Sequence, residues 1–178
     1  MSYCQIVRFG ADGKMREEGP EFRNAWGGAA RIWGSLFDAY LKNGEHDSWM
    51  RRQQDLWALQ DDARLDESER RVLLSTFDRA IIRRDNFAAF AADLRSFVAK
   101  HPVPEDSIDH LKAWATWIEN SEDAAIGFYG TSVAENPFFS TPTCPTCGQD
   151  TAGSVPYDLA SGASHFDVFV PDKAEEAR

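Results

Sequence analysis

From Trp26 to Ile118 the apolar residues recur every three or four positions, while at both ends of the chain they alternate with polar residues or come in short runs. A helical period in the middle and a strand period at the ends constrain the fold more than any other feature. The helices must cover a sheet that the flanking segments build, which is an α+β arrangement. Trp26, Ala29, Ala30, Trp33, Leu36, Phe37, Tyr40 and Leu41 mark a first helix, with Asn24 as N-cap and Gly44 beyond its end. Asp47-Ser48 caps a second helix, carrying Trp49, Leu56 and Trp57 and ending near Asp61-Asp62. Asp66 followed by Glu69 is a capping-box pattern, and Val72, Leu73 and Phe77 continue a third helix. Ala80-Ile81-Ile82 either extends that helix or breaks it. Asp85-Asn86 caps a fourth helix (Phe87, Phe90, Ala91, Leu94, Phe97, Val98) that His101-Pro102 stops. Ser107 caps a fifth, with Ile108, Leu111, Trp114, Ala115 and Ile118 on its buried side.

Residues 2–9 alternate in character and run into Asp12-Gly13, a turn of the kind that closes hairpins. Ala124-Ala-Ile126-Gly-Phe128-Tyr129 reads as a buried strand, and His165–Val170 as an alternating strand that Pro171 stops. The reading is therefore about five helices packed on a small sheet formed by the N-terminal strand, the strand near 124–129 and the C-terminal strand 165–170. Residues 136–164, dominated by Pro, Gly, Ser and Thr, form an irregular loop, a length usually tied to function. With 178 residues, 43% of them apolar, one globular domain over 1–172 is expected, followed by a frayed tail over 173–178.

Charge is unevenly placed. Between Lys112 and Lys173 there is no Lys or Arg, while Glu119, Glu122, Asp123, Glu135, Asp150, Asp158, Asp167 and Asp172 are acidic, so most of the net charge of −10 lies in the last third. Such a field repels phosphate backbones and anionic lipid and draws cationic partners. Nucleic acid and membrane are disfavoured as partners, and a protein with a basic surface is favoured. The N-terminus lacks the basic and apolar regions of a signal peptide, no apolar run is long enough to span a bilayer, and three cysteines do not make a disulfide framework. A cytoplasmic protein is expected.

Cys144-Pro-Thr-Cys147-Gly is the sharpest local motif, resembling the half-site of rubredoxin-like and zinc-ribbon proteins, in which a tight turn aims two thiolates at one tetrahedral metal. A complete zinc site needs two more ligands. Cys4 and His165 qualify if the terminal strands pair; otherwise the two thiols are simply reduced and exposed. A thioredoxin-type redox pair is disfavoured because the motif does not precede a helix.

Gly127-Phe-Tyr-Gly130-Thr131-Ser132 has glycines after a strand but neither Walker nor dinucleotide spacing. Trp26, Trp33, Trp49, Trp57 and Trp114 fall on apolar helix faces and are assigned to the core, whereas Trp117, at the edge of its stripe, is a candidate for an interface. The pairs Arg51-Arg52, Arg70-Arg71 and Arg83-Arg84 sit among acids and read as solvated faces with i,i+4 ion pairs; binding of nucleic acid through these helices is the alternative. His46, His101, His110 and His165 are scattered, and no nucleophile or catalytic signature accompanies them, so no catalytic residue is assigned.

The stretches Asn24-Ala-Trp-Gly-Gly-Ala-Ala-Arg-Ile-Trp33, Ser75-Thr-Phe-Asp-Arg-Ala-Ile-Ile-Arg-Arg-Asp-Asn-Phe87 and Gly127-Phe-Tyr-Gly-Thr-Ser-Val-Ala-Glu-Asn-Pro-Phe138 resemble segments of small uncharacterised bacteriophage and prophage proteins. That resemblance implies a host-takeover or anti-defence factor that binds and blocks a host protein, as anti-CRISPR proteins do. The Cys-x-x-Cys segment is not part of the pattern. The expected function is thus a non-enzymatic inhibitor or regulator that meets a basic partner surface through Glu119, Glu122, Asp123, Glu135, Asp150 and Asp158, with Trp117 at the contact. A small zinc- or thiol-dependent protein centred on Cys144 and Cys147 is the alternative from another class.

Overall fold

In a computed structural model of the chain, which describes residues 3–23, 29–42, 49–130, 139–140, 146–147, 155–156, 158–160 and 165–170, the N-terminal segment folds back on itself. Strands β1 (Tyr3–Phe9) and β2 (Met15–Arg23) pair antiparallel. The Asp-Gly turn closes them as the sequence predicts: Gly13 sits at φ +76°, a left-handed conformation that glycine adopts without steric cost, and its N–H donates to the Gly10 carbonyl at 2.9 Å.

The helical half comprises α1 (Ala29–Leu36), continued by a π-helical turn over Phe37–Leu41, then α2 (Trp49–Ala58) with a 3₁₀ turn over Leu59–Asp61, and α3 (Glu67–Leu74). The proposed caps Asn24 and Asp47-Ser48 lie outside the described residues. The capping box at Asp66 and Glu69 is present in full, with the Glu69 N–H donating to the Asp66 carboxylate and the Glu69 carboxylate accepting from the Asp66 N–H. α3 ends at Leu74 because Ser75 and Thr76 turn their hydroxyls back onto the carbonyls of Val72 and Leu73, at 2.8 and 2.6 Å. Arg79 then takes a left-handed φ of 68° and redirects the chain.

That turn settles Ala80-Ile81-Ile82, which forms β3 (Ala80–Arg83). All three residues are fully buried, the mark of a strand covered on both faces. A 3₁₀ turn (Arg84–Asn86) leads into α4 (Phe87–Lys100), and α5 (Glu105–Glu119) follows. Asn86 makes no capping bond: the 3₁₀ turn runs directly into α4, and the Phe87 N–H donates to the Arg84 carbonyl. Ser107 is likewise not a cap. Pro104, at φ −53°, is the N-cap residue three positions before it, and Ser107 is buried within the first turn.

β4 (Ala125–Gly130), β5 (Phe139–Ser140), β6 (Val155–Pro156) and β7 (Phe166–Asp167) complete the elements. The main sheet has five strands in the order β2-β1-β4-β3-β7, antiparallel throughout except for the parallel β3–β7 edge, so the fold is α+β. The three-strand expectation omitted β2 and β3. The C-terminal strand is also shorter than predicted, because after Asp167 the Val170 N–H bonds back to the Asp167 carbonyl in a turn.

Alternation sorts the strand residues onto two faces. Ile6, Ala80, Ile82, Ile126 and Phe128 point into the main core with the helices, where Trp114 stands edge-on to Phe128 (5.1 Å between ring centroids, 73°) and to Phe90 (6.4 Å, 79°). Val7, Phe9, Met15, Ile81 and Ala125 form a second cluster on the opposite face, with Leu159 packed against it. Residues 158–160 of the Pro/Gly/Ser/Thr-rich segment therefore lie against the sheet: the Leu159 N–H donates to the Gly13 carbonyl at 2.9 Å, and Lys14 and Asp158 form a β-bridge.

One aromatic assignment changes: Trp57 is 42% exposed on α2, whereas Trp33 is half-buried and packs against the main core, its indole N–H donating to the Thr76 hydroxyl at 2.7 Å. α2 is polar over most of its surface, so its narrow apolar stripe buries Leu56 and leaves the adjacent Trp57 facing outward.

Candidate functional site

The last two turns of α5 and its C-cap residue present Ala113, Thr116, Trp117 and Asn120 at spacings of three, four and seven residues. With Arg8 of β1 and Ser121-Glu122 of the α5–β4 connection they line an open groove of about 630 Å³. Trp117 is half-buried, one side against the main core and the other towards the groove. Three of the predicted contact residues, Trp117, Glu122 and the neighbouring Asp123, thus meet at one corner of the molecule, with Glu119 one turn away.

The electrostatics of that corner differ from a bare acidic face. Asp123, nearly buried, accepts from Arg8 Nε at 2.8 Å and from the Ser121 hydroxyl at 2.7 Å. Glu119 accepts from Arg95 at 2.5 Å, and that guanidinium holds its carboxyl below the usual range. The Glu122 carbonyl accepts from Arg84 at 3.0 Å, whereas its carboxylate is exposed and has no ion-pair partner among the described residues. Three arginines from three elements converge on the end of α5. Its final turn contains no basic residue of its own, and a helix C-terminus carries a partial negative charge.

Asp158 belongs to the same end of the sheet. It lies beside the β1–β2 turn, accepts from the Ala160 N–H at 2.8 Å, and is bridged to Lys14, while the Ala124 N–H donates to Phe9 across the adjacent strand. Glu135 and Asp150 lie outside the described residues.

β1, which carries Cys4, and β7, which His165 precedes, are not neighbours in the sheet: β4 and β3 stand between them, so these two strands are about 14 Å apart, three inter-strand spacings. Cys147 is exposed, and Cys144 lies outside the described residues. Among the described residues no three His, Cys, Asp or Glu side chains gather as metal ligands. Burial, reinforced by the Arg83 charge, lowers the His165 pKa below its ordinary value.

The paired arginines are engaged across the fold more than along their own helices. Arg71 binds Asp93 of α4 through two contacts of 2.7 and 3.0 Å and also stacks over Phe169 at 4.8 Å. Arg83 lies 3.1 Å from Asp167, and Arg84 reaches Glu122. Among the described residues, the contacts of Arg70 and Arg71 with Glu67, at 3.6 and 4.0 Å, are the ones at helical spacing, i,i+3 and the expected i,i+4 respectively.

Sequence reasoning missed Arg8, which is 115 positions from the acid it binds and carries no local signal. No helix among the described residues is long and apolar enough to cross a membrane. Comparison with protein-family models, curated proteins and solved structures finds no match.

Proposed function

We propose that this chain is a non-enzymatic binding protein that docks a basic surface of another protein on the α5–β4 corner. The observation that carries this reading is the groove itself, lined by half-buried Trp117 and by Glu122, whose exposed carboxylate has no ion-pair partner among the described residues. An aromatic anchor at the edge of a core, rimmed by polar groups that exclude water, is the usual anatomy of a binding hot spot. The stretch free of Lys and Arg begins within α5 and continues past the groove, which favours a cationic partner. The resemblance to phage and prophage segments supports a host protein as that partner, and a blocking role of the anti-defence or anti-CRISPR kind.

Affinity capture from a bacterial lysate at low and high salt tests the proposal. A specific partner is expected that is lost at high salt and also lost with Glu122→Lys. Capture of nothing specific, or of a partner indifferent to both changes, overturns it.

A further inference from the structure

The end of α5 already selects guanidinium groups from within the protein. Arg8, Arg84 and Arg95 come from β1, the turn before α4 and α4 itself, and each donates to a different acceptor around residues 119–123. A helix C-terminus with no basic residue in its last turn, surrounded by carboxylates, favours a cation at each of these positions. One acceptor is left over: the Glu122 carboxylate, exposed at the groove, has no cation on it among the described residues. Trp117, which lines the same groove, offers an indole, the ring that holds a cation best, and Asn120, Ser121 and Thr116 supply polar atoms along the wall. The one cation in the lining, Arg8, has its charge offset by Asp123 at 2.8 Å.

We infer that the groove receives an arginine side chain projecting from the partner protein, its guanidinium resting on the Trp117 indole and bonded to the Glu122 carboxylate. Arginine suits the site better than lysine because a planar guanidinium can stack on an aromatic ring and bond a carboxylate at the same time. This inference rests on the binding function proposed above and narrows it to one side-chain chemistry.

The test is a titration of the ¹⁵N-labelled protein with N-acetyl-arginine amide, followed at the Trp117 indole N–H resonance, with N-acetyl-citrulline amide as the uncharged isostere. A saturable shift is expected with the arginine compound and little with the citrulline compound. Because Glu122 is exposed, Glu122→Gln should keep the fold, and it should weaken binding of the arginine compound about fivefold to tenfold. Equal shifts with both compounds, no saturable shift, or no effect of Glu122→Gln overturns the inference. If Glu122→Lys abolishes partner capture while the indole ignores the arginine compound, the docking corner stands and the guanidinium site falls. If the indole responds as expected but no partner is captured, the guanidinium site stands and the proposed function falls.

Discussion

His101 Nε2 lies 2.6 Å from Glu69 Oε1, and the Glu69 side chain is fully buried. The same carboxylate accepts from the Tyr40 hydroxyl at 2.7 Å, from Lys100 Nζ at 2.7 Å and from the Asp66 N–H at 3.0 Å. One acid therefore ties together the π-helical turn, the start of α3 and the end of α4. Burial pushes the Glu69 carboxyl up, but the bonds from Lys100, Tyr40, Asp66 and His101 outweigh it and hold the group below its ordinary 4.5. The Glu69 N–H, then Ser68 and Lys100, hold Asp66 well below its ordinary 3.8.

Both carboxyls are depressed on folding, so the stability they contribute is present above their unfolded values and is lost as pH falls below about 4.5 and on through their folded values. Lys100, raised by Glu69 and Asp66, and Tyr40, raised by burial and Glu69, have the opposite sign: their contribution is present below pH 10 and declines above it. Urea unfolding across pH should show stability falling at both ends. Glu69→Gln should lower stability at pH 7 by about 1.5–3 kcal/mol, the usual loss for hydrogen bonds to a charged group, and flatten the acid limb. An unchanged acid limb would remove the network as its source.

How much of this was legible in the sequence depended on range. The capping box at Asp66–Glu69, the Asp12-Gly13 turn and the presence of five helices are written in neighbouring residues and are found, although the caps read at Asn86 and Ser107 are not formed and Phe77 lies beyond the end of α3. The burial of Glu69 is not, since three of its partners lie 29 to 32 positions away. At the candidate site the helix face carrying Trp117 was visible from periodicity, and the acids from composition. What composition could not show is that Asp123 and Glu119 are already bonded to Arg8 and Arg95. Around the end of α5 two of the acids are thus matched by arginines, while the exposed Glu122 carboxylate has no ion-pair partner among the described residues.

Trp114 has no exposed surface and joins α5 to both α4 and the sheet through Phe90 and Phe128. Trp114→Ala should cost about 3–5 kcal/mol, the range for removing a large buried aromatic side chain. Trp114→Phe should cost less, because it keeps an aromatic edge against the two rings. Chemical denaturation measures both, and a loss under about 1 kcal/mol for the alanine variant would contradict a closely packed site.

Arg79 holds a φ of 68°, and its carbonyl accepts from the Phe166 N–H at 3.2 Å. A left-handed backbone costs a non-glycine residue roughly 1–2 kcal/mol. Glycine relieves that cost but has more freedom to lose on folding, worth about 0.5–1 kcal/mol. Arg79→Gly should therefore leave stability unchanged or slightly raised, while Arg79→Val, β-branched at a positive φ, should lower it. Thermal unfolding of the two variants gives the order, and Val above Gly would show that the turn does not set it.

Arg71 and Asp93 join α3 to α4 by two parallel contacts, with the Asp93 side chain nearly buried and Arg71 only about a quarter exposed. Asp93 draws the Arg71 guanidinium further towards its charged form, against the opposing effect of burial. Removing Arg71 alone strands a buried carboxylate, so Arg71→Ala should cost more than the double replacement Arg71→Ala with Asp93→Ala. Arg71→Lys keeps the charge but not the fork that meets both carboxylate oxygens, and it also gives up the planar contact over Phe169, so it should recover only part of the loss. A double-mutant cycle read by urea unfolding should return a coupling of about 1–3 kcal/mol between the two positions. Additive single losses would mean that the pair contributes by packing alone and that the two helices are held together by their apolar faces.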